Sequence, residues 1–279
     1  MKVGVHVSIA GALDRSFDRA RERGCDTFQI FTRNPRGWRF KDLTESDIEE
    51  FLKKSEKFDI EPVIDHMPYL PNLASPKDDI YEKSIDTLTA ELVRCEQLNI
   101  PYLVTHLGSH LGEGMERGFD RIVSGVNRAL SESDNDVMLL LENTAGTKNS
   151  MGTSFEDIRH IIDRVDRKDR TGVCFDTSHG FAGGYDLRTE EALEEVMDNF
   201  DDILGWSRLK VVHLNDSRGD LGSCIDRHEH IGMGYIGEDG FRAILKHKII
   251  RDLPMILETP IDERRDDYGN LEKVRELAR

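Results

Sequence analysis

Short apolar runs of strand length recur along the chain, at VGVHV (3–7), TFQIF (27–31), PVIDH (62–66), YLVTH (102–106), VMLLLEN (137–143), GVCFDTSH (172–179), LKVVHLND (209–216) and PMILET (254–259). They are nearly continuous in apolar residues rather than alternating, the pattern of strands buried on both faces. Between them lie stretches with apolar positions at helical spacing, such as YEKSIDTLTAELVRCEQL (81–98), FDRIVSGVNRALSES (119–133) and SFEDIRHIIDRV (154–165). Ser154 opens the last of these as a predicted N-cap. Strand and helix alternate eight times, with strand starts about 24 to 45 residues apart, a spacing that suits successive βα units with right-handed crossovers. The expected fold is therefore α/β, a closed (β/α)8 TIM barrel spanning residues 1–279 as a single domain, ahead of a doubly wound open sheet. No low-complexity segment or Pro/Gly/Ser linker interrupts it.

Composition narrows the function classes. Charged residues make up 33% of the 279 and hydrophobic ones 38%, which predicts a soluble globular protein with a very polar surface. No apolar run approaches membrane-spanning length, and MKVGVHVSIAGA reads as a first strand rather than a secretory signal, so the expected location is cytoplasmic. Cys25, Cys95, Cys174 and Cys224 are scattered singly, which predicts neither a disulfide framework nor a cysteine zinc site. The formal charge of −16 argues against a protein that coats nucleic acid nonspecifically, while leaving room for local basic loops. Much of the acid falls in ESDIEEFLKKSEKF and TEEALEEVMDNFDDIL, where helical spacing predicts solvated outer faces.

In a barrel of this kind, catalytic groups sit at the C-terminal ends of strands and in the loops that follow. Six predicted strands end in residues that can bind metal: His66, His106, Glu142, Asp176 with His179 just beyond, His213 and Glu258. The loop after the seventh strand adds Asp226 and His228 in DRH, which point the same way if that segment is extended. Any one such histidine is ordinarily structural. Imidazoles and carboxylates mixed around one rim, however, are best gathered by cations. Five imidazoles and four carboxylates without a thiolate suit zinc, with manganese or iron as alternatives, and exceed one tetrahedral site. Two or three metals are expected, with Glu142 a candidate bridge. Four carboxylates and three divalent ions would leave an excess of two positive charges, a mouth suited to an anion. Multinuclear sites of this kind typically hydrolyse phosphate esters.

These residues also carry a resemblance. GVHVSIAG, HLGSH (106–110), ENTAG (142–146), DTSHGFAGGYD (176–186), HLNDS (213–217) and DRHEHIGMG (226–234) resemble the endonuclease IV family of apurinic/apyrimidinic endonucleases, through nearly the whole chain and in the same order. The resemblance implies a TIM barrel with three zinc ions per chain, manganese being an alternative at one site. It also implies incision of double-stranded DNA on the 5′ side of abasic sites, with 3′-hydroxyl and 5′-deoxyribose phosphate ends. Carried over residue by residue, it assigns His66, His106 and Glu142 to one metal and Asp176, His213 and Glu258, with bridging Glu142, to a second. His179, Asp226 and His228 fall to the third. Glu142 and Glu258 are the candidate catalytic carboxylates. A single duplex needs no second subunit, so a monomer is expected.

Two loops are candidates for DNA contact. FTRNPRGW supplies Arg33, Arg36 and Trp38, and MPYLPNLASP supplies Tyr69 and Leu70, which by the resemblance wedge into the base stack. The sequence departs from the family pattern at Met233, at Glu229 and at Ala12, none of them a candidate metal ligand. His6, His110 and His230 are expected to support the ligands from behind, and His160 and His247 to lie on helices as surface or packing residues. The rival readings are a sugar isomerase or epimerase on the same barrel, which needs fewer ligands, and a lesion-binding protein without turnover.

Overall fold

The computed structural model describes residues 1–279. In chain order it contains β1 (Lys2–Val5), α1 (Arg15–Glu22), β2 (Phe28–Ile30), α2 (Glu45–Phe58), β3 (Val63–His66), α3 (Asp78–Gln97), β4 (Tyr102–Thr105), α4 (Met115–Ser133), β5 (Met138–Glu142) and α5 (Phe155–Arg164). It continues with β6 (Thr171–Asp176), α6 (Thr177–Gly183), α7 (Glu190–Ile203), β7 (Leu209–His213), β8 (Asp216–Ser217), β9 (His228–Glu229), α8 (Gly237–Lys246), β10 (Pro254–Leu257) and α9 (Asp267–Leu277). Eight parallel strands run in the order β1-β10-β7-β6-β5-β4-β3-β2. The ends meet where Val7 N donates to Gln29 O at 2.8 Å and Asp26 N to Val3 O at 2.9 Å, closing the TIM barrel. Gly4 makes that seam possible, because a Cβ there would stand 1.6 Å from Thr27 O. No helix is long and apolar enough to cross a membrane.

The core has two parts. A cluster of 62 buried hydrophobic residues fills the space between strands and helices. Inside the barrel, Ile64, Val104, Leu140, Cys174, Val211 and Ile256 form a separate plug, one residue from each of six strands. Burying an aliphatic side chain of this size contributes roughly 1.5–3 kcal/mol. The plug gives the open end of the barrel a solid floor.

Local chemistry sets the element ends. Ser154 caps α5 by accepting from Asp157 N at 3.2 Å, and Thr44 caps α2 in the same way through Asp47. Two apolar runs end sooner than expected. The run through 179 leaves the sheet at Asp176, whose Oδ1 accepts from His179 N at 2.9 Å and so starts α6. The run through 216 leaves it at His213, and Asp216–Ser217 pairs antiparallel with His228–Glu229 to form a small ribbon over the mouth.

Candidate metal centre

Each plug residue is followed two positions later by a candidate ligand: Ile64 by His66, Val104 by His106, Leu140 by Glu142, Cys174 by Asp176, Val211 by His213 and Ile256 by Glu258. Side chains along a strand return to the same face every second residue, so these six form the next inward layer above the plug. The α6 turn brings His179 over them, and the ribbon brings Asp226 and His228 from the side.

Glu142 stands among four imidazoles. Its Oε2 lies 3.3 Å from His66 Nε2 and 3.4 Å from His106 Nε2, and its Oε1 lies 2.9 Å from His213 Nδ1 and 3.5 Å from His179 Nδ1. Three groups place their ligand atoms within 4.8 Å of one another: His66–His106–Glu142, Glu142–Asp176–His213–Glu258 and Asp176–His179–His228. Asp226 joins the last through His179 Nε2, 3.2 Å from its Oδ1. All nine candidates therefore meet at one mouth, and Glu142 and Asp176 each belong to two groups.

The donor set fits metal ions. His66 Nδ1 lies 2.7 Å from Met67 O, His179 Nδ1 lies 3.0 Å from Asn143 O and His228 Nδ1 lies 3.1 Å from Glu258 O. With Nδ1–H donating to these carbonyls, each Nε2 lone pair is directed to the cluster. His228 Nε2 is buried and has no hydrogen-bond partner, an orphan that a cation would satisfy. His213 uses the opposite tautomer: its Nε2 donates to Gln29 Oε1 at 2.8 Å, which frees Nδ1.

Protons on two imidazoles offset part of the carboxylate charge in the cluster. Burial opposes ionisation of His179, yet Asp176, Asp226 and Glu142 raise it to about 10. His213 is likewise raised against burial, with Cys174, Glu258 and Glu142 beside it. Burial works against the Glu142 carboxylate too, but His106, His213 and His66 hold it well below the ordinary range. Asp226 is lowered to about 2 by its hydrogen bond to His179, and Glu258 to about 2, against burial, chiefly by His213. Divalent ions in these positions would replace the protons.

Three supporting residues went unread in the sequence. Gln29 Nε2 donates to Glu258 Oε1 at 2.8 Å and lies 3.0 Å from His6 Nδ1. Asn215 Nδ2 donates to Asp176 Oδ2 at 2.7 Å while its Oδ1 accepts from Glu258 N at 2.7 Å. Asn143 Oδ1 accepts from Asp176 N at 2.7 Å. The available signal was an amide beside Glu142 in ENT, another in HLND, and a lone polar residue inside TFQIF.

Of the three supporting histidines expected from the sequence, only His6 is at the site, 3.9 Å from Glu258 and lowered by burial to about 4. His110 accepts from Gly112 N and Gly114 N, and His230 is buried between Asp262 and Asn270. His160 lies on the surface of α5, as expected, whereas His247 falls just past the end of α8, where it packs on Trp206. Met233 is exposed between glycines of a loop that wraps the Asp216 carboxylate, which accepts from Gly232 N and Gly234 N at 2.9 Å. Glu229 pairs with Arg264 at 3.0 Å, and Ala12 is half-buried in the β1–α1 connection. None of these departures touches the nine.

Above the ligands is a cavity of about 470 Å³, walled by Phe31 and Tyr69 on one side and Ile261 on the other. It shares His6, Phe31 and Tyr69 with a neighbouring groove that runs to Arg36. Arg36 is exposed, Trp38 is half-buried under Lys83, and Tyr69 and Leu70 project 63% and 38% exposed. Arg33 corrects the expectation. Its side chain is buried, 2.7 Å from Glu91 and 4.1 Å from the Phe40 ring, and so is engaged within the protein instead of projecting as a free basic group.

Comparison with known proteins agrees with this geometry. A family model described as a xylose isomerase-like TIM barrel matches residues 17–279. The chain is 60% identical over 277 residues to the probable endonuclease 4 of Methanoculleus marisnigri, covering 99% of this chain and 98% of that relative. It is 53% identical over 280 residues to the probable endonuclease 4 of Nitrosopumilus maritimus, across 100% of both. The crystal structure of endonuclease IV from Thermus thermophilus superposes with a TM-score of 0.89 at 34% identity, covering 99% of this chain and 98% of that one. A D-tagatose 3-epimerase-like protein reaches a TM-score of 0.76 at only 21% identity, over 99% of this chain and 97% of that one, a likeness of fold alone. Identity at this level over the full length places the chain in the endonuclease IV family.

Proposed function

We propose that this endonuclease is a zinc-dependent DNA repair enzyme that hydrolyses the phosphodiester 5′ to abasic sites in double-stranded DNA, leaving 3′-hydroxyl and 5′-deoxyribose phosphate ends. The observation that carries the reading is Glu142 among four imidazoles, with three metal-fitting groups around it, beneath a cavity walled by Phe31 and Tyr69 that adjoins a groove running to Arg36. His66, His106 and Glu142 would hold one zinc, Glu142, Asp176, His213 and Glu258 the second, and His179, Asp226 and His228 the third. Bound there, zinc would acidify water and neutralise charge on the phosphate oxygens.

The chain's own groups do the rest. Glu142, with Oε2 between His66 and His106 and Oε1 beside His213, fixes where the attacking water sits. Glu258, held through Oε1 by Gln29 and partly open to the cavity, orients that water from the opposite side. Arg36 meets backbone phosphate, and Trp38 lines the approach. Tyr69 and Leu70 enter the stack where a missing base makes opening least costly. One mouth per duplex suffices, so the protein acts as a monomer.

The test is an end-labelled duplex carrying a tetrahydrofuran abasic analogue, which cannot undergo β-elimination. A cut immediately 5′ to the analogue, with a product that a DNA polymerase extends, is the expected result. An uncut duplex with zinc verified on the protein would contradict the reading and favour a binding protein without turnover.

A further inference from the structure

Behind the β2–α2 connection lies a cluster of charged residues with no place in hydrolysis. Arg33, Asp65, Glu91 and Arg94 are each at most 6% exposed. Charges are almost never buried so deeply unless paired, and burying them brings little net stability. Their arrangement centres on Thr32. The Thr32 hydroxyl donates to Glu91 Oε2 and accepts from Arg94 Nε at 2.8 Å, and Asp65 Oδ1 accepts from Thr32 N at 3.2 Å.

One guanidinium closes the connection. Arg94 Nη2 donates to Thr32 O at 2.5 Å and Nη1 donates to Lys41 O at 3.1 Å, so a side chain on α3 joins both ends of the segment 33–40. Phe40 lies 4.1 Å from Arg33 and 6.0 Å from Arg94. That segment carries exposed Arg36 and half-buried Trp38, and Pro35 O accepts from Tyr69 N at 3.2 Å, which ties in the second rim loop.

The geometry points to Thr32, Glu91 and Arg94 as positioning residues that clamp the stem of the Arg36–Trp38 loop in its binding shape before the duplex arrives. The inference rests on the assignment of that loop to DNA contact. A fixed loop loses less freedom on binding, so the clamp acts on duplex affinity and leaves the hydrolytic step untouched. The neutral hub permits a mild test. Thr32→Val removes the hydroxyl and keeps shape and charges, while Thr32→Ser restores it.

KM and kcat on abasic duplex, zinc content, and trypsin cleavage after Arg36 and Arg39 without DNA are read together. Thr32→Val is expected to raise KM roughly tenfold with kcat and zinc content unchanged, and to speed both trypsin cuts. Thr32→Ser should return all values to the wild type. A folded Thr32→Val protein with unchanged KM and trypsin rate overturns the clamp, even if its melting temperature falls. Should Thr32→Val not fold, Arg94→Lys gives the same readouts, since a lysine cannot span Thr32 O and Lys41 O together. A wild type that leaves abasic duplex uncut would remove the endonuclease reading, and the trypsin comparison would still decide the clamp.

Discussion

The floor and the rim of the mouth are built on opposite principles. On the floor, His66, Glu142, Asp176, His179 and His213 are each at most 3% exposed, and each is fixed by strand register or by the first turn of α6. Toward the rim, Arg36 is exposed, and Tyr69 and Leu70 are 63% and 38% exposed. The floor is held by contacts that a single substitution leaves unpaired. The rim is held by loops whose tips are free to meet a ligand. Chemistry therefore belongs to the floor and recognition to the rim, and substitutions should divide along that line.

Glu142→Gln should have the largest effect. It removes the one carboxylate shared by four imidazoles, and cleavage of abasic duplex is expected to fall by on the order of a thousandfold while a gel-shift assay still shows duplex binding. A variant that cuts at the wild-type rate would take Glu142 out of the mechanism. His228→Ala tests the ribbon side of the floor, and elemental analysis should find about one metal fewer per chain with two groups still loaded. Full metal content would separate His228 from the centre. Asn215→Ala keeps every ligand but frees Asp176 and the Glu258 backbone, and a loss of about 10–100-fold in zinc affinity is expected by competition with a chelator.

Proton counting sharpens the same contrast. The pKa of His179 is raised from 6.5 to about 10, so in the metal-free protein its proton is present at pH 8, while its stabilising effect, full below 6.5, declines as pH rises and is gone above about 10. Zinc must displace that proton. Loading at pH 8 should acidify a weakly buffered solution, and apparent zinc affinity should climb from pH 6 to pH 9; loading without proton release would contradict this charge balance. Tyr69→Ala should have the smallest effect, a several-fold loss of preference for abasic over intact duplex with zinc content unchanged. Equal preference in both proteins would return Tyr69 to packing against Phe31.

The same division explains what could be read from the chain. Parallel strands buried on both faces leave continuous apolar runs, so the barrel was legible, and a ligand two positions past a plug residue stood out as polar at a strand end. Asp226 and His228 were legible as an i, i+2 pair. The direction of Arg33 was not, because its partner Glu91 sits on a helix 58 residues further on and local spacing carries no trace of it. Gln29 and Asn215 were hidden for a related reason. An amide in a strand or turn declares its role only when the barrel brings Glu258 and Asp176 within its reach. The helical placement of His179 was missed because the apolar run before it gave no sign that Asp176 would cap a new helix.

The central claim is that strand register, the α6 turn and the ribbon together gather nine side chains into one three-metal hydrolytic centre. Metal-stripped protein titrated with zinc, with metal per chain and cleavage of the tetrahydrofuran duplex followed in parallel, tests it most directly. The account predicts that cleavage is absent without metal and reaches its plateau only as the third zinc per chain binds. Full activity with one ion bound, or with none, would contradict it.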